Sequence, residues 1–175
     1  MPVLPDIPNV VLIEAADTDF RWMLGEDCCQ NGLSLPKGGV DDPIVLGIVR
    51  AITMRLHDAG SRASWLVVWN GEVVGLCSYR RPPADRCVEI GFGIAPSKRG
   101  NGYATSAVAA MVEVAALDPS IDTLTAETAV QNIASQAVLE RNGFARVGTR
   151  VDVEDGEVIG WARQLHERKL HQRKP

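Results

Sequence analysis

Hydrophobic and polar positions along the chain alternate between two periods, and the switches between them set out the elements. The run NVVLIEA over residues 9–15 is apolar enough for a first strand, and Asp17 or Asp19 then offers an N-cap for a short helix through Phe20, Trp22, Met23 and Leu24. Residues 25–43, rich in Gly, Asp, Pro and Cys, show no period and read as an irregular loop. Ile44, Val45, Ile48, Val49, Ile52 and Leu56 then recur at helical spacing across 44–59, and Gly60 stops the run. Two apolar runs, SWLVVW at 64–69 and EVVGLCSY at 72–79, flank Asn70-Gly71, whose tolerance of positive φ suits a two-residue hairpin. A reversal through Pro82, Pro83 and Asp85 leads into 87–95, where Val88, Ile90, Phe92 and Ile94 alternate with Glu89, Gly91 and Gly93 at the period of a strand. These three strands form an antiparallel meander. An alanine-rich helix at 104–117 ends at Asp118-Pro119, and a strand follows at 123–128 (TLTAET). Asn132 caps a helix through Asn142, with Gly143 as its stop, and 144–153 faces 157–165 across Asp155-Gly156. The order β-α-α-β-β-β-α-β-α-β-β belongs to the α+β class, a mixed sheet with helices packed on it.

Composition narrows the picture without naming a chemistry. A chain of 175 residues fits one domain, 1–175, with the locally basic stretch HERKLHQRKP at 166–175 as a solvated tail. Hydrophobic content of 46% and charged content of 23% are those of a globular protein. A net charge of −4 argues against a broad nucleic-acid interface. No apolar stretch approaches the roughly 20 residues that cross a bilayer. The N-terminus, with Pro2, Pro5 and Pro8 and no basic opening, does not read as a signal peptide, so no membrane partner is expected. Cys28, Cys29, Cys77 and Cys87 show no CxxC spacing and read as free thiols in a reducing cytoplasm. His57, His166 and His171 form no ligand set, so no metal is expected.

The chemistry is carried by VEIGFGIAPSKRGNGYA, Val88 to Ala104. An apolar strand runs into a basic, glycine-punctuated turn and straight on into a helix. The start of a helix has unpaired N–H groups and a partial positive charge, and glycines let an anion approach them, so the segment reads as a phosphate cradle. No GxxxxGK[ST] string exists. Gly100-Asn101-Gly102-Tyr103-Ala104-Thr105 lacks the third glycine of a dinucleotide fingerprint. The pattern Arg-x-x-Gly-x-Ala is satisfied by Arg99, Gly102 and Ala104, and downstream lies NIASQAVLERNGF, Asn132 to Phe144.

This pairing resembles the GNAT superfamily of acyl-CoA-dependent N-acyltransferases, and within it the RimJ/RimL-like branch. The likeness is tightest over 89–148 and leaves 25–43 unaccounted for. It implies a mostly antiparallel central sheet with helices on both faces and a splayed acyl-CoA cleft. It also implies acetyl-CoA as donor, with backbone amides of Gly100, Asn101, Gly102, Tyr103, Ala104 and Thr105 on the pyrophosphate and Arg99 as a nearby charge. Pantetheine would slot between the strand of Phe92, Gly93 and Ile94 and the strand at 123–128, with Asn132 contacting it as well as capping its helix. Glycines at 91 and 93 keep that approach clear. Many relatives dimerise through the final hairpin or sheet edges, so a homodimer is left open.

An amine acceptor is mostly protonated near neutrality, since its reference pKa is ~7.7–8.0 for an α-amine and ~10.4 for lysine, so a general base is useful. The resemblance offers two, Glu89 in the EIGF string and Glu127 five residues before Asn132; strand alternation turns Glu127 away from Leu124 and Ala126, toward solvent. Where many members carry a tyrosine acid, this chain has Leu139, and Tyr79 and Tyr103 lie elsewhere. In the RimJ/RimL-like branch the serine of the NxxS string stands near the sulfur, so the resemblance implies Ser135 as the candidate to protonate the leaving thiolate, its alternative being a hydroxyl bonded back to the helix start. Backbone N–H groups near Phe92 to Ile94 would stabilise an oxyanion. Trp65 and Trp69 read as core or rim, and Glu26, Asp27, Asp41 and Asp42 as loop charges at the acceptor side. The expected activity is acetyl transfer to a primary amine, on a small molecule or a peptide, by direct attack in a ternary complex. The rival expectation is a CoA-binding sensor or scaffold without turnover.

Overall fold

The computed structural model describes residues 8–28, 32–153 and 156–166. The readings of the extreme N-terminus, of Cys29, of Asp155 and of the tail beyond His166 lie outside these residues. The elements are β1 (Val11–Glu14), α1 (Asp17–Met23), α2 (Pro43–Asp58), β2 (Ser64–Trp69), β3 (Glu72–Tyr79), β4 (Cys87–Ile94), a short 3-10 turn (Pro96–Lys98), α3 (Tyr103–Ala116), β5 (Thr123–Ala129), α4 (Ile133–Arg141), β6 (Ala145–Asp152) and β7 (Gly156–Gln164). The strands make one seven-stranded sheet in the order β1-β2-β3-β4-β5-β7-β6. All neighbours are antiparallel except β4 and β5. The α+β expectation holds, and the fold adds what periodicity alone left open: β7 inserts between β5 and β6.

Each face of the sheet has its own core. On one face Trp65, Val67, Cys77, Ile90, Leu124 and Trp161 pack with Ala107 and Met111 of α3 and Leu139 of α4. On the other, Leu66, Val68, Val73 and Leu76 pack with Phe20 of α1 and Leu46 of α2. Burying a side chain of this kind is worth about 1.5–3 kcal/mol. Trp65 meets Tyr79 edge to face at 4.9 Å, as core residues do. Asn70 and Gly71 both adopt positive φ, +48° and +77°, which turns β2 into β3 with the twist the strands require.

One capping expectation is corrected. The N-cap of α1 is Ala16, and Asp19 reaches back to accept a hydrogen bond from the Ala16 N–H at 2.8 Å. Asp17 instead faces α2, where Arg50 Nε and Nη2 donate to its two oxygens at 2.6 and 3.0 Å. That bidentate pair holds the Asp17 carboxyl below its ordinary value and locks α1 onto α2. The loop between these helices is not wholly irregular either. Ser34 bridges the start of β3, donating to Gly71 O and accepting from the Val73 N–H at 2.9 Å each, and Val40 is buried. This path delivers Asp41 and Asp42 to the start of α2, where Asp42 caps the helix by accepting from the Ile44 N–H at 2.8 Å.

Candidate functional site

β4 and β5 run side by side for only three residue pairs, Cys87 with Thr123, Val88 with Leu124 and Glu89 with Thr125. Beyond them β4 continues to Ile94 and β5 to Ala129 without touching as a ladder. The joined end is pinned. Arg86 Nε and Nη2 donate to Asp122 at 2.5 and 2.7 Å, and the N–H groups of Asp122 and Thr123 donate to Arg86 O at 2.8 and 3.1 Å. On the other edge of β4, Arg80 donates to Glu89 O and Ala95 donates to Val74 O, both at 2.9 Å. Alternation along a strand then turns the backbone groups of Phe92 and Ile94 toward the gap. Ile94 O there accepts from Arg99 Nε at 3.1 Å.

The mouth of the gap is a row of unpaired donors. Gly100 and Gly102 have φ of +79° and +80°, a left-handed conformation that only glycine takes without strain, and Gly102 is the N-cap of α3. None of the N–H groups from Gly100 to Thr105 donates to another described residue. All of these residues but Asn101 line a cavity of about 700 Å3. One wall is Phe92, Gly93 and Ile94; the next is Arg99, Gly100, Gly102, Tyr103, Ala104 and Thr105; the third is α4, with Asn132 and Ser135. Trp69 tilts against the Tyr103 ring at 5.4 Å and steadies the start of α3. Asn101 belongs to the loop but does not line the cavity: its amide folds back to donate to Lys98 O and Arg99 O at 3.0 and 3.1 Å.

The candidate side chains divide by position. Ser135 lines the cavity, and its N–H, not its hydroxyl, makes the bond to the helix start, donating to Asn132 Oδ1 at 3.1 Å. Its hydroxyl has no hydrogen-bond partner among the described residues. Leu139 is fully buried, and Tyr79, the last residue of β3, is buried too, its phenol pushed up to about 12. Neither Glu89 nor Glu127 lines the cavity. Glu89 sits in the last joined pair and Glu127 two residues beyond it, on the parted length of β5, and both are held by arginines. Glu89 lies 3.1 Å from Arg81 Nη2 and 3.9 Å from Arg80 Nε. Glu127 accepts from Arg150 Nε and Nη2 at 2.7 and 2.5 Å, and these bonds, with those to Asp152, raise the pKa of the Arg150 guanidinium.

Sequence reasoning set Asp41 among solvated loop charges, and the structure corrects that. Asp41 is the one carboxylate on the cavity wall among the described residues. Its Oδ1 accepts from the Asp42 N–H at 2.8 Å, while Oδ2 lies 3.6 Å from where a β-carbon on Gly93 would stand. The signal was faint but present: of the adjacent pair Asp41-Asp42 only one is needed as a helix cap. Lys98 and Arg141 also line the cavity and were not singled out; Lys98 is ion-paired with Glu72. Glu26 and Asp27 face Arg21, and Glu26 also meets Arg50. No cluster of three His, Cys, Asp or Glu side chains suited to a metal occurs among the described residues. Cys28, Cys77 and Cys87 are free thiols, and no helix among the described residues is long and apolar enough to cross a membrane.

Comparison with known proteins gives this geometry a setting. A family model described as an acetyltransferase (GNAT) domain matches residues 45–145. Among solved structures, RimL, a ribosomal L7/L12 alpha-N-protein acetyltransferase in complex with coenzyme A, aligns with a TM-score of 0.66 at 21% identity over 90% of this chain and 97% of that one. Mycobacterium smegmatis RimJ in complex with a CoA disulfide aligns with a TM-score of 0.65 at 21% identity, over 89% of this chain and 81% of that one. A chimera built on the spermidine N-acetyltransferase SpeG from Vibrio cholerae aligns with a TM-score of 0.66 at 16% identity, over 90% and 96%. No curated protein sequence matches the chain. At these identities the structural likeness speaks for the fold.

Proposed function

The chain belongs to the GNAT acetyltransferase family, and on that premise we propose that it carries an acetyl group from acetyl-CoA, bound in the parted-strand cavity, to an amine arriving on the α2 side of β4. The observation that carries this reading is the row of unpaired N–H groups from Gly100 to Thr105 at the start of a helix, where five of the six residues line a cavity walled by an unpaired strand edge. Such a row suits a diphosphate, because the donors have no internal partner to give up and the helix dipole adds to them. Arg99 adds a charge at the same mouth. The backbone of Phe92 and Ile94 suits the amide groups of a pantetheine arm, which would pair there as a missing strand does. Asn132 and Ser135 close the opposite wall.

The transfer requires a nitrogen lone pair, a polarised carbonyl and a protonated leaving group. The amine nitrogen bonds to the thioester carbon, the carbon–sulfur bond breaks, the ammonium proton leaves to a base, and the thiolate takes up a proton. Ser135 is placed to donate to the sulfur, its hydroxyl being free on the cavity wall. Backbone N–H groups turned into the gap at Phe92 and Ile94 serve the carbonyl oxygen. Glu89 and Glu127 stay candidates for the base, yet each is engaged by guanidinium groups away from the wall. The geometry favours Asp41, whose Oδ2 stands over Gly93 and is open to an incoming ammonium.

The test is free-thiol release from acetyl-CoA across a panel of amines, with products identified by mass. A member that only senses the coenzyme would gain thermal stability from CoA and release no thiol with any amine. Asp41→Asn should lower kcat/KM for the amine by about a hundredfold, while CoA still raises the melting temperature. Full activity in that variant would hand the role to Glu89, Glu127 or water.

A further inference from the structure

The face of β4 bearing Glu89, Gly91 and Gly93 looks toward α2, and it has two chemically opposite ends. At the cavity end stands Asp41 beside Gly93. At the other end a second cavity of about 240 Å3 opens between α2 and the β3–β4 reversal. Its floor is Ile52, Leu56 and Pro82, and its rim is Arg55, Arg80 and Arg81. The Arg80 Cδ lies 3.4 Å from where a β-carbon on Gly91 would stand, so this arginine lies along the same face. Glu89 is the carboxylate between Arg80 and Arg81, at 3.9 and 3.1 Å. Arg55 has no ion-pair partner among the described residues; its Nε donates only to Ala51 O, at 3.4 Å. Three guanidiniums against one carboxylate leave an excess of two positive charges, concentrated on a chain whose net charge is −4.

We propose that this arginine-rimmed pocket is an acceptor subsite for an anion, and that the enzyme acts on peptide N-termini carrying a carboxylate two or three residues beyond the amine. The proposal rests on the acetyltransferase reading of the larger cavity. From Gly93 to Gly91 is about 7 Å along a strand, and to Glu89 about 13 Å, at ~3.3 Å per residue. An extended peptide rises at much the same rate. An amine at Asp41 therefore places a carboxylate at its third or fourth residue within reach of Arg80, Arg81 and Arg55. Gly91 and Gly93 carry no side chains on this face, so the groups standing over them are Arg80 and Ser78 at one end and Asp41 at the other, and these would flank the peptide backbone. Arginine's planar fork accepts a carboxylate in two parallel hydrogen bonds, with Glu89 holding two of the forks in place. A polycationic amine would meet the unopposed positive charge instead.

The experiment compares acetylation of amidated hexapeptides that differ only at the third residue, Glu, Gln or Lys, together with a free-acid tripeptide and spermidine. The Glu peptide should exceed the Gln peptide in kcat/KM by about tenfold, with Lys lower still, and the advantage should shrink as salt is raised. Arg55→Gln with Arg81→Gln should bring the Glu-to-Gln ratio near one, and Arg81→Glu should turn the preference toward Lys. A gain with the tripeptide's terminal carboxylate assigns the pocket to short peptides; a gain confined to the side chain assigns it to longer chains. Should the double variant fold poorly by circular dichroism, the wild-type preference decides alone. Thiol release that ignores charge, or that favours Lys or spermidine, overturns the subsite while leaving acetyl transfer standing. Silence with every amine removes both.

Discussion

Ser135 unites three circumstances that single residues seldom combine: the third position of a capped helix, a place on a cavity wall and a hydroxyl with no internal partner. Because its N–H already serves the cap, removing the hydroxyl leaves α4 intact. Ser135→Ala should therefore reduce kcat by about a hundredfold with little change in the KM for acetyl-CoA; an unchanged kcat would remove the serine from the chemistry. What the sequence makes legible at this scale is the residue and its helix, through Asn132 three places earlier. Side-chain partnerships are another matter. Glu89 and Glu127 stand on the strands where they were expected, but nothing in their spacing announces Arg80, Arg81 or Arg150. Those contacts arise from strands that meet only once the sheet forms. Asp41 is hidden for a like reason: it reaches Gly93 through a loop with no period to read, held by Ser34 against β3 and by Val40 in the core.

At the scale of elements, the pairing of β3 with β4 sets the width of the cleft. A β-carbon on Gly75 would lie 2.3 Å from Gly93 O, 2.7 Å from the Ile94 Cδ1 and 3.2 Å from the Ile94 Cα. Backbone cannot move aside as a side chain tip can, so Gly75→Ala should push β4 outward at the very residues that line the gap. The expected loss is about 1–3 kcal/mol, seen as a lower urea midpoint, together with weaker stabilisation by CoA. A variant as stable as the parent would mean that Gly93 relaxes freely. The strands and helices themselves were readable because local chemistry fixes their ends: Asn70-Gly71 at a tight turn, Asn132 before α4, Gly143 at φ +74° after it. The start of α1 misled because Asp17 and Asp19 both resemble caps, and only the packing against α2 shows that Asp17 serves Arg50. The insertion of β7 beside β5 carries no local mark at all. Pairing between strands distant in sequence is decided by shared burial, here of Trp161 with Leu124 and Ala126.

At the scale of the molecule, the core beneath α3 has a consequence for alkaline stability. Burial pushes the Cys77 thiol from 9.0 up to about 12, and burial likewise pushes the Tyr79 phenol from 10.0 up to about 12. Below pH 9 the folded and unfolded chains hold these protons alike. Above it the unfolded chain releases them while the folded chain keeps them, so stability is lost as pH rises from about 9 to 12. The urea midpoint should fall steadily over that range, and Cys77→Val should lessen the slope; a flat midpoint from pH 8 to 10.5 would contradict the assignment. The seam between β4 and β5 has a different consequence. A sheet joined there by three residue pairs, the arginine–aspartate clasp and two backbone bonds to Arg86 O should open first at this seam, as two blocks over a shared core. In deuterated water the amides of Phe92 and Ile94 should exchange early while those of β2 hold out. Acetyl-CoA should then slow the exchange, acting as the thread that sews the two blocks into one.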